Sequence, residues 1–519
     1  MAQAKLYDTT LRDGMGGQGM SLSVGEKLKV VHALDALGVQ FIEAGFPSSN
    51  PKEAELFGRL AELELSNATI AAFGMTRRGG LAAAEDPALA TLVESVAPVV
   101  CLVGKSWRLH LEKVIRVPEA ENLAMIRDSV AFCRGGGKRV VFDAEHFFDG
   151  YRDDPGYALE CVRAAADAGA ENVTLCDTNG GSLPGFVAEA TAAVVEALGD
   201  AVEVGIHTHN DAECAVANSL AAVEAGARLV QGCVNGYGER CGNANLTSIL
   251  PALQLKMGFD VVSAEQLASL TSTSHYLDEL CNVAPNPNRA YVGRNAFAHK
   301  AGMHAAGVAA DARTFEHLDP AEVGNEREIL ASELSGKATI RSAAEHAGLA
   351  LDDEAAAHAV EALKEREHRG YHYEAAQASF ELLLRREAGV YEPLFELESF
   401  RVTTEKREGG KVQTEATIKV IVDGERYLEV AEGNGPVNAL DRALRAAIGA
   451  RHPHLVDVEL TNYKVRILDE AHGTGAVTRV LLDSTDGKRE WGTIGVSENI
   501  IEASWEALVD SLAYAFQPR

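Results

Sequence analysis

Two strings far apart in the sequence carry residue types suited to holding a divalent cation. Asp8-Thr-Thr-Leu-Arg-Asp-Gly14 follows the first apolar run, and His207-Thr-His209 closes another much later in the chain. On a strand, residues i and i+2 point to the same face, so His207 and His209 can converge on one ion, with Asp13 supplying a carboxylate. Asn243 and Asp211 are the other polar residues that a barrel of βα units brings to the same rim. Two histidines on a strand can equally be rim or core residues with ordinary partners, and it is the combination with Asp13 and Asn243 that favours the metal site. Aspartate, two histidines and asparagine make a mixed oxygen and nitrogen set without thiolate. That set suits Mg²⁺ or Mn²⁺, with Zn²⁺ or Co²⁺ as substitutes. Such an ion can take both the carboxylate and the keto oxygen of a 2-keto acid and polarise its carbonyl carbon. Arg12 then reads either as the stabiliser of the resulting oxyanion or as a structural ion pair. Glu145 reads as a proton-exchanging or orienting group, or as a salt-bridge partner.

These residues need a frame that gathers them. From Lys5 to about Gly258, short β-rich runs alternate with longer Ala/Leu/Glu-rich stretches, the pattern of repeated βα units. Eight runs are legible: 5–8, 39–44, 69–73, 96–103, 139–143, 173–177, 203–207 and 229–234. Eight units in roughly 250 residues predict a (β/α)8 TIM barrel over 1–260, whose catalytic groups sit at the C-terminal strand ends. Arg12 and Asp13 follow run one, Glu145 and His146 run five, and Asp177-Thr178-Asn179 run six. The glycine-rich loop Asn235 to Asn243 follows run eight. A doubly wound open sheet has the same alternation, but its sites gather at one switch point rather than around a ring.

From about Val261 to Gly389 the β-runs stop, which predicts an α-helical connector (261–390) with amphipathic spacing over 343–386, a turn cluster at Ala284-Pro-Asn-Pro-Asn-Arg289, and loop over 307–320. Beyond it, 391–519 reads as a separate α+β domain. Its predicted strands are 400–404, 416–422, 456–468 and 478–484, with a helix after each pair, 437–448 and 500–514.

The 519 residues exceed one compact core, and 46% hydrophobic with 24% charged residues is ordinary globular composition. A formal charge of −28 without a Lys/Arg cluster argues against nucleic acid, and no apolar run is long enough for a bilayer. No hydrophobic signal precedes the first run, so a cytoplasmic location is expected. The eight cysteines form no Cys-x-x-Cys pair and read as small core residues.

Four strings in this order, Asp8 to Gly14, His207-Thr-His-Asn-Asp211, Ala215-Val-Ala-Asn-Ser219 and Gly238-Glu-Arg-Cys-Gly-Asn243, resemble the isopropylmalate, homocitrate and citramalate synthase family. Asp143 to Tyr151, Glu432 to Leu440 and Gly495 to Trp505 resemble its citramalate synthase branch, and the similarity spans essentially the whole chain. The resemblance implies a metal-dependent Claisen-type condensation of acetyl-CoA with pyruvate and water to (R)-citramalate and CoA, on the way to isoleucine. It implies metal ligation by Asp13, His207, His209 and Asn243. It assigns keto-acid contacts to Arg12, Asp143 and Thr178, and catalysis to Arg12, Glu145 and His304. His304 lies in His299-Lys-Ala-Gly-Met-His304 and assists deprotonation of the acetyl methyl; spacing alone reads it as a surface helix residue. The resemblance further implies a homodimer whose C-terminal domain binds an amino-acid effector, isoleucine, and regulates allosterically.

The chain departs from its branch at Gly14-Met-Gly-Gly-Gln18, at Ala44-Gly-Phe-Pro-Ser48 in place of a Gly-Gly-Trp-Pro-Gly pattern, and at Phe315 in place of tyrosine. Met15 and Phe46 fall beside the expected keto-acid pocket, where one methylene changes fit by only about 1–3 kcal/mol. Other 2-alkylmalate synthases, isopropylmalate synthase among them, are therefore the alternative. A retro-Claisen lyase on the same barrel ordinarily lacks the α+β tail, and an amino-acid sensor on a disabled barrel would have lost site residues that are all present here.

Overall fold

The computed structural model describes residues 2–299, 302–329, 337–373, 376–406, 408–468 and 476–518. The chain divides into two compact units, 1–297 with 318–327, and 298–317 with 328–519.

The first unit is the expected barrel. β1 (Lys5–Asp8), β2 (Phe41–Gly45), β3 (Thr69–Met75), β4 (Val99–Lys105), β5 (Arg139–Glu145), β6 (Asn172–Asp177), β7 (Glu203–Thr208) and β8 (Leu229–Gly232) pair in parallel, in sequence order. β1 pairs with β8 from Lys5–Leu229 to Asp8–Gly232 and closes the ring. The period-2 alternation sorts the side chains. Leu6, Ile42, Val100, Leu102, Phe142, Leu175 and Ile206 pack outward into the core shared with the helices. Tyr7, Phe41, Ala71, Val99, Cys101, Val141 and Leu229 fill the interior. One step higher along the same inward rows stand Glu43, Asp143 and His207, all buried. The strand-to-site relation thus follows from register: the residue two positions beyond an interior apolar residue faces the barrel mouth.

Strands four and five are longer at their C-terminal ends than the sequence pattern indicates, so Glu145 is the last residue of β5 rather than part of the following loop. Cross-strand pairing sets it beside Lys105, and the two form a salt bridge.

Loops around the barrel are fastened by buried carboxylates. Asp35, at the end of the helix Val24–Leu37, accepts backbone N–H groups from Ser66 (3.0 Å), Asn67 (2.8 Å) and Ala68 (2.7 Å). Burial raises its pKa, but these three donors outweigh that effect and hold the carboxyl below its ordinary value. A depressed folded-state pKa stabilises the protein above the unfolded value of about 4, and this contribution is lost as pH falls through the folded-state value. Asp35→Ala should therefore cost about 2–3 kcal/mol in denaturant unfolding at pH 7. The deficit should shrink below about pH 4, and an unchanged midpoint at pH 7 would refute the assignment.

The second unit differs from the sequence reading in several places. The connector is not free of strands, because β9 (Ala298–His299) and β10 (Glu328–Ile329) form a short parallel pair. Residues 307–310, expected as loop, belong to the helix Gly302–Ala310. Its interior Gly307 lies where a Cβ would meet the Phe315 ring at 2.4 Å. The amphipathic stretch is three helices, Lys337–His346, Asp353–His368 and Gln377–Glu387, with Gly348 (φ +71°) and Gly370 (φ +106°) in the breaks. Of the motif around His304, Lys300 and Ala301 lie outside the described residues, as do 330–336 and 374–375 of the connector.

Among the described residues, the C-terminal part holds six strands where four were expected. β11 (Glu396–Lys406), β12 (Val412–Val422) and β13 (Glu425–Gly433) form one antiparallel sheet, with the helix Pro436–Gly449 on its core face. β14 (Glu459–Ile467), β15 (Thr478–Thr485) and β16 (Glu490–Ser497) form the second, backed by Ile500–Phe516. Each helix therefore follows three strands rather than two, and residues 456–457 are a 3-10 turn rather than strand. The helices Lys337–His346, Asp353–His368 and Gln377–Glu387 share a core with Ile494 and Val496 of β16.

Candidate active site

At the barrel mouth three ligand atoms face one another. Asp13 Oδ2 stands 3.3 Å from His207 Nε2 and 3.5 Å from His209 Nε2, and the two ring nitrogens are 3.2 Å apart. An ion bound at about 2.0–2.2 Å by three such atoms sets its ligands about 3 Å apart or slightly more, so this triangle fits one small divalent cation. Among the described residues no other group of three or more His, Cys, Asp and Glu side chains has this convergence.

The electrostatics agree. Burial alone would raise the Asp13 carboxyl, but the Arg12 charge and both imidazoles hold it well below the usual carboxylate range. His209 is pushed down to about 4 by burial and then by His207, which keeps its ring neutral near pH 7. Burial lowers the His207 pKa, yet the contact with Asp13 lifts it above its ordinary value.

The loop after β8 brings Asn243 alongside His209. It pairs as a β-bridge neighbour of His209, and its Nδ2 donates to the Tyr237 carbonyl at 3.1 Å. Its Oδ1 is buried and has no hydrogen-bond partner among the described residues, an orphan acceptor of the kind a cation satisfies. The glycines make this fold of the loop feasible. Gly238 (φ +145°) has Asn243 Nδ2 at 2.3 Å from where a Cβ would stand, and Gly242 (φ +88°) has the Gly236 carbonyl at 2.0 Å. Asp211, assigned to the same rim from sequence, is held by Arg240, at 2.7 Å from its Nε.

Beside the triad, Arg12 is fixed on three sides. Its Nε donates to Glu43, its Nη1 stands 3.4 Å from Asp13 Oδ2, and its guanidinium lies 4.0 Å over the Phe73 ring. Phe46 packs against Phe73 with ring centroids 6.3 Å apart. Glu43 is fully buried and also accepts from Tyr7 Oη (2.8 Å) and Thr9 Oγ1 (2.6 Å). Asp143 is 2% exposed, and burial, followed by the Glu43 charge, pushes its carboxyl up to about 6. Thr178 Oγ1 accepts from the His146 backbone N–H at 3.0 Å, which leaves its own proton to donate.

The first unit therefore gathers Asp13, His207 and His209 and places Arg12 beside them. Glu145 stands at the end of β5, tied to Lys105. His304 belongs to the second unit, on the exposed side of Gly302–Ala310, where it stacks on Phe315 at 4.2 Å. Sequence reasoning missed Glu43, Lys105 and Gln231. Glu43 and Gln231 are lone polar residues inside apolar strands, a signal of inward placement once the barrel is assumed, whereas Lys105 ends β4.

The HMGL-like family profile matches residues 3–277, the homocitrate synthase post-HMGL domain-like profile 291–370, and the LeuA allosteric (dimerisation) domain profile 374–516. The chain is 49% identical to an (R)-citramalate synthase of Synechocystis, covering 99% of this chain and 96% of the relative. It is 47% identical to that of Aquifex aeolicus, covering 98% and 97%. A 2-isopropylmalate synthase of Acidimicrobium ferrooxidans is 32% identical, covering 99% and 96%. With its barrel, its connector and its C-terminal sheets all matched end to end, the chain belongs to the citramalate synthase branch of the isopropylmalate and homocitrate synthase family.

Proposed function

We propose that the protein is an acyltransferase that condenses acetyl-CoA with pyruvate and water to give (R)-citramalate and CoA. The observation that carries the reading is the Asp13–His207–His209 triangle, with the orphaned Asn243 Oδ1, in a chain alike over its whole length to (R)-citramalate synthases. Isopropylmalate synthases stand further off, at 32–34% identity.

Asp13, His207, His209 and Asn243 would hold a divalent cation, Mg²⁺ or Mn²⁺ by the hardness of the set, with Zn²⁺ or Co²⁺ as replacements. When bound, it supplies Lewis acidity at the keto oxygen. Thr178 donates its free hydroxyl proton to the keto-acid carboxylate, and Asp143 contributes to the floor of the same pocket. His304 accepts a proton from the acetyl methyl of acetyl-CoA, and the carbanion so formed makes the new C–C bond to the keto carbon of pyruvate. Arg12 faces the oxyanion that develops there. Glu145, oriented by Lys105, holds the reacting groups and exchanges protons as water cleaves the thioester and CoA leaves.

Phe46 and Phe73, the aromatic pair under Arg12, stand beside the expected keto-acid pocket. CoA thiol release measured with pyruvate, 2-oxobutanoate, 2-oxoisovalerate and 2-oxoglutarate should rank pyruvate first by kcat/KM. A preference for 2-oxoisovalerate would replace the reading with isopropylmalate synthase.

The barrel (1–260), connector (261–390) and C-terminal domain (391–519) are proposed as catalytic, relay and regulatory parts of a cytoplasmic homodimer in isoleucine biosynthesis. Isoleucine binding to the C-terminal domain would shift the connector that carries His304. In the same assay isoleucine should inhibit the full chain and not a chain ending at Gly389; full inhibition of the shortened chain would refute the coupling.

A further inference from the structure

His207 can ligate through Nε2 only if its proton resides on Nδ1, and the barrel interior contains a device that enforces this. His207 Nδ1 lies 3.0 Å from Gln231 Oε1, its lateral neighbour on β8. An amide can present either end, so Gln231 serves this purpose only if it cannot flip. Two acceptors prevent the flip. Gln231 Nε2 donates to Asp143 Oδ1 at 2.8 Å, and the Cys101 thiol also hydrogen-bonds that carboxylate. Nε2 further approaches Thr174 Oγ1 at 3.4 Å, and the Thr174 proton is already given to Asn172 Oδ1 at 2.7 Å. The Asn172 amide is oriented in turn, because its Nδ2 donates to Glu203 Oε1 at 3.3 Å. Each donor in this interior row points the same way, and the row ends at the metal-facing nitrogen. Gln231 is fully buried, so no solvent competes for either end of its amide.

We propose that Gln231 is a positioning residue which, oriented by Asp143 and Thr174, locks His207 in the Nδ1–H tautomer and so leaves Nε2 as a ready ligand. Such partners of ligating histidines typically change metal affinity about 10- to 100-fold when removed. The inference rests on the metal reading of the preceding subsection, and the test separates the two.

Mn²⁺ binding to the full-length protein is measured for the parent, Gln231→Leu and Asp143→Asn. Gln231→Leu should bind about 10- to 100-fold more weakly. Asp143→Asn, which allows the Gln231 amide to flip, should be weakened in the same direction by less. The ¹⁵N spectrum of metal-free, histidine-labelled parent at pH 8 should show His207 protonated on Nδ1, a readout that a purely structural role for Gln231 would not fix. A parent that fails to bind Mn²⁺ strikes down the metal reading. A parent that binds while both variants bind equally well overturns this inference alone. His207 protonated on Nε2 and not on Nδ1 overturns it too, even if Gln231→Leu fails to fold.

Discussion

His209→Ala should abolish stoichiometric Mn²⁺ binding and lower CoA release by roughly a thousandfold or more, with the fold retained. Lewis-acid polarisation of a carbonyl is worth several kcal/mol, and each 1.36 kcal/mol is about tenfold in rate. The fold should survive because His209 contributes little besides its ligand atom. Among the described residues, its Nδ1 is buried without a hydrogen-bond partner, and Nε2 faces Asp13 and His207. Removing the ring therefore strands no donor that depended on it, and it relieves a crowded pair of ring nitrogens. A chelator applied to the parent protein should reproduce the loss, and added Mn²⁺ should restore the parent but not the variant. Retained turnover in His209→Ala, with circular dichroism unchanged, would remove the basis for the metal site.

Much of this site could be read before any coordinates, because its ligands sit where strand ends meet polar strings. The i, i+2 spacing of His207 and His209 and the position of Asp13 after β1 follow from the period of a strand and the rule of the barrel mouth. What could not be read locally was the second row of interior polar groups. Glu43 and Gln231 lie within apolar strands, and their meaning depends on neighbours from strands distant in sequence, Tyr7 and Arg12 for one and His207 and Asp143 for the other. The C-terminal domain shows a different failure. β13 carries Glu425, Arg426, Glu429 and Glu432, a composition that strands usually avoid, and exposes Leu428 and Val430 on one face. Yet Asp423-Gly424 joins β12 to β13 with both residues at positive φ, +49° and +79°, a strong short-range hairpin signal that outweighs composition. β16 was hidden by its two glycines, one of which, Gly495, has the Ala503 carbonyl at 1.9 Å from where a Cβ would stand. It is a strand that needs glycine for a helix to approach it.

Arg12→Lys should lower kcat by about 100- to 1,000-fold, about 3–4 kcal/mol, while Mn²⁺ affinity changes far less. The guanidinium is held on three sides. Glu43 takes Nε, Asp13 lies near Nη1, and Phe73 covers one face, so the remaining Nη2 edge is left for the developing oxyanion. A lysine ammonium is a single point charge without a planar fork. Drawn to the fully buried Glu43 carboxylate, it would keep the ion pair and abandon the pocket. The substitution thus preserves what a structural ion pair needs and removes what an oxyanion donor needs, which separates the two roles that the sequence left open for Arg12. Steady-state kinetics with acetyl-CoA and pyruvate decide between them. An Arg12→Lys enzyme within about tenfold of the parent would assign Arg12 to structure, whereas a collapse of kcat with little change in KM for pyruvate would place its action in the transition state.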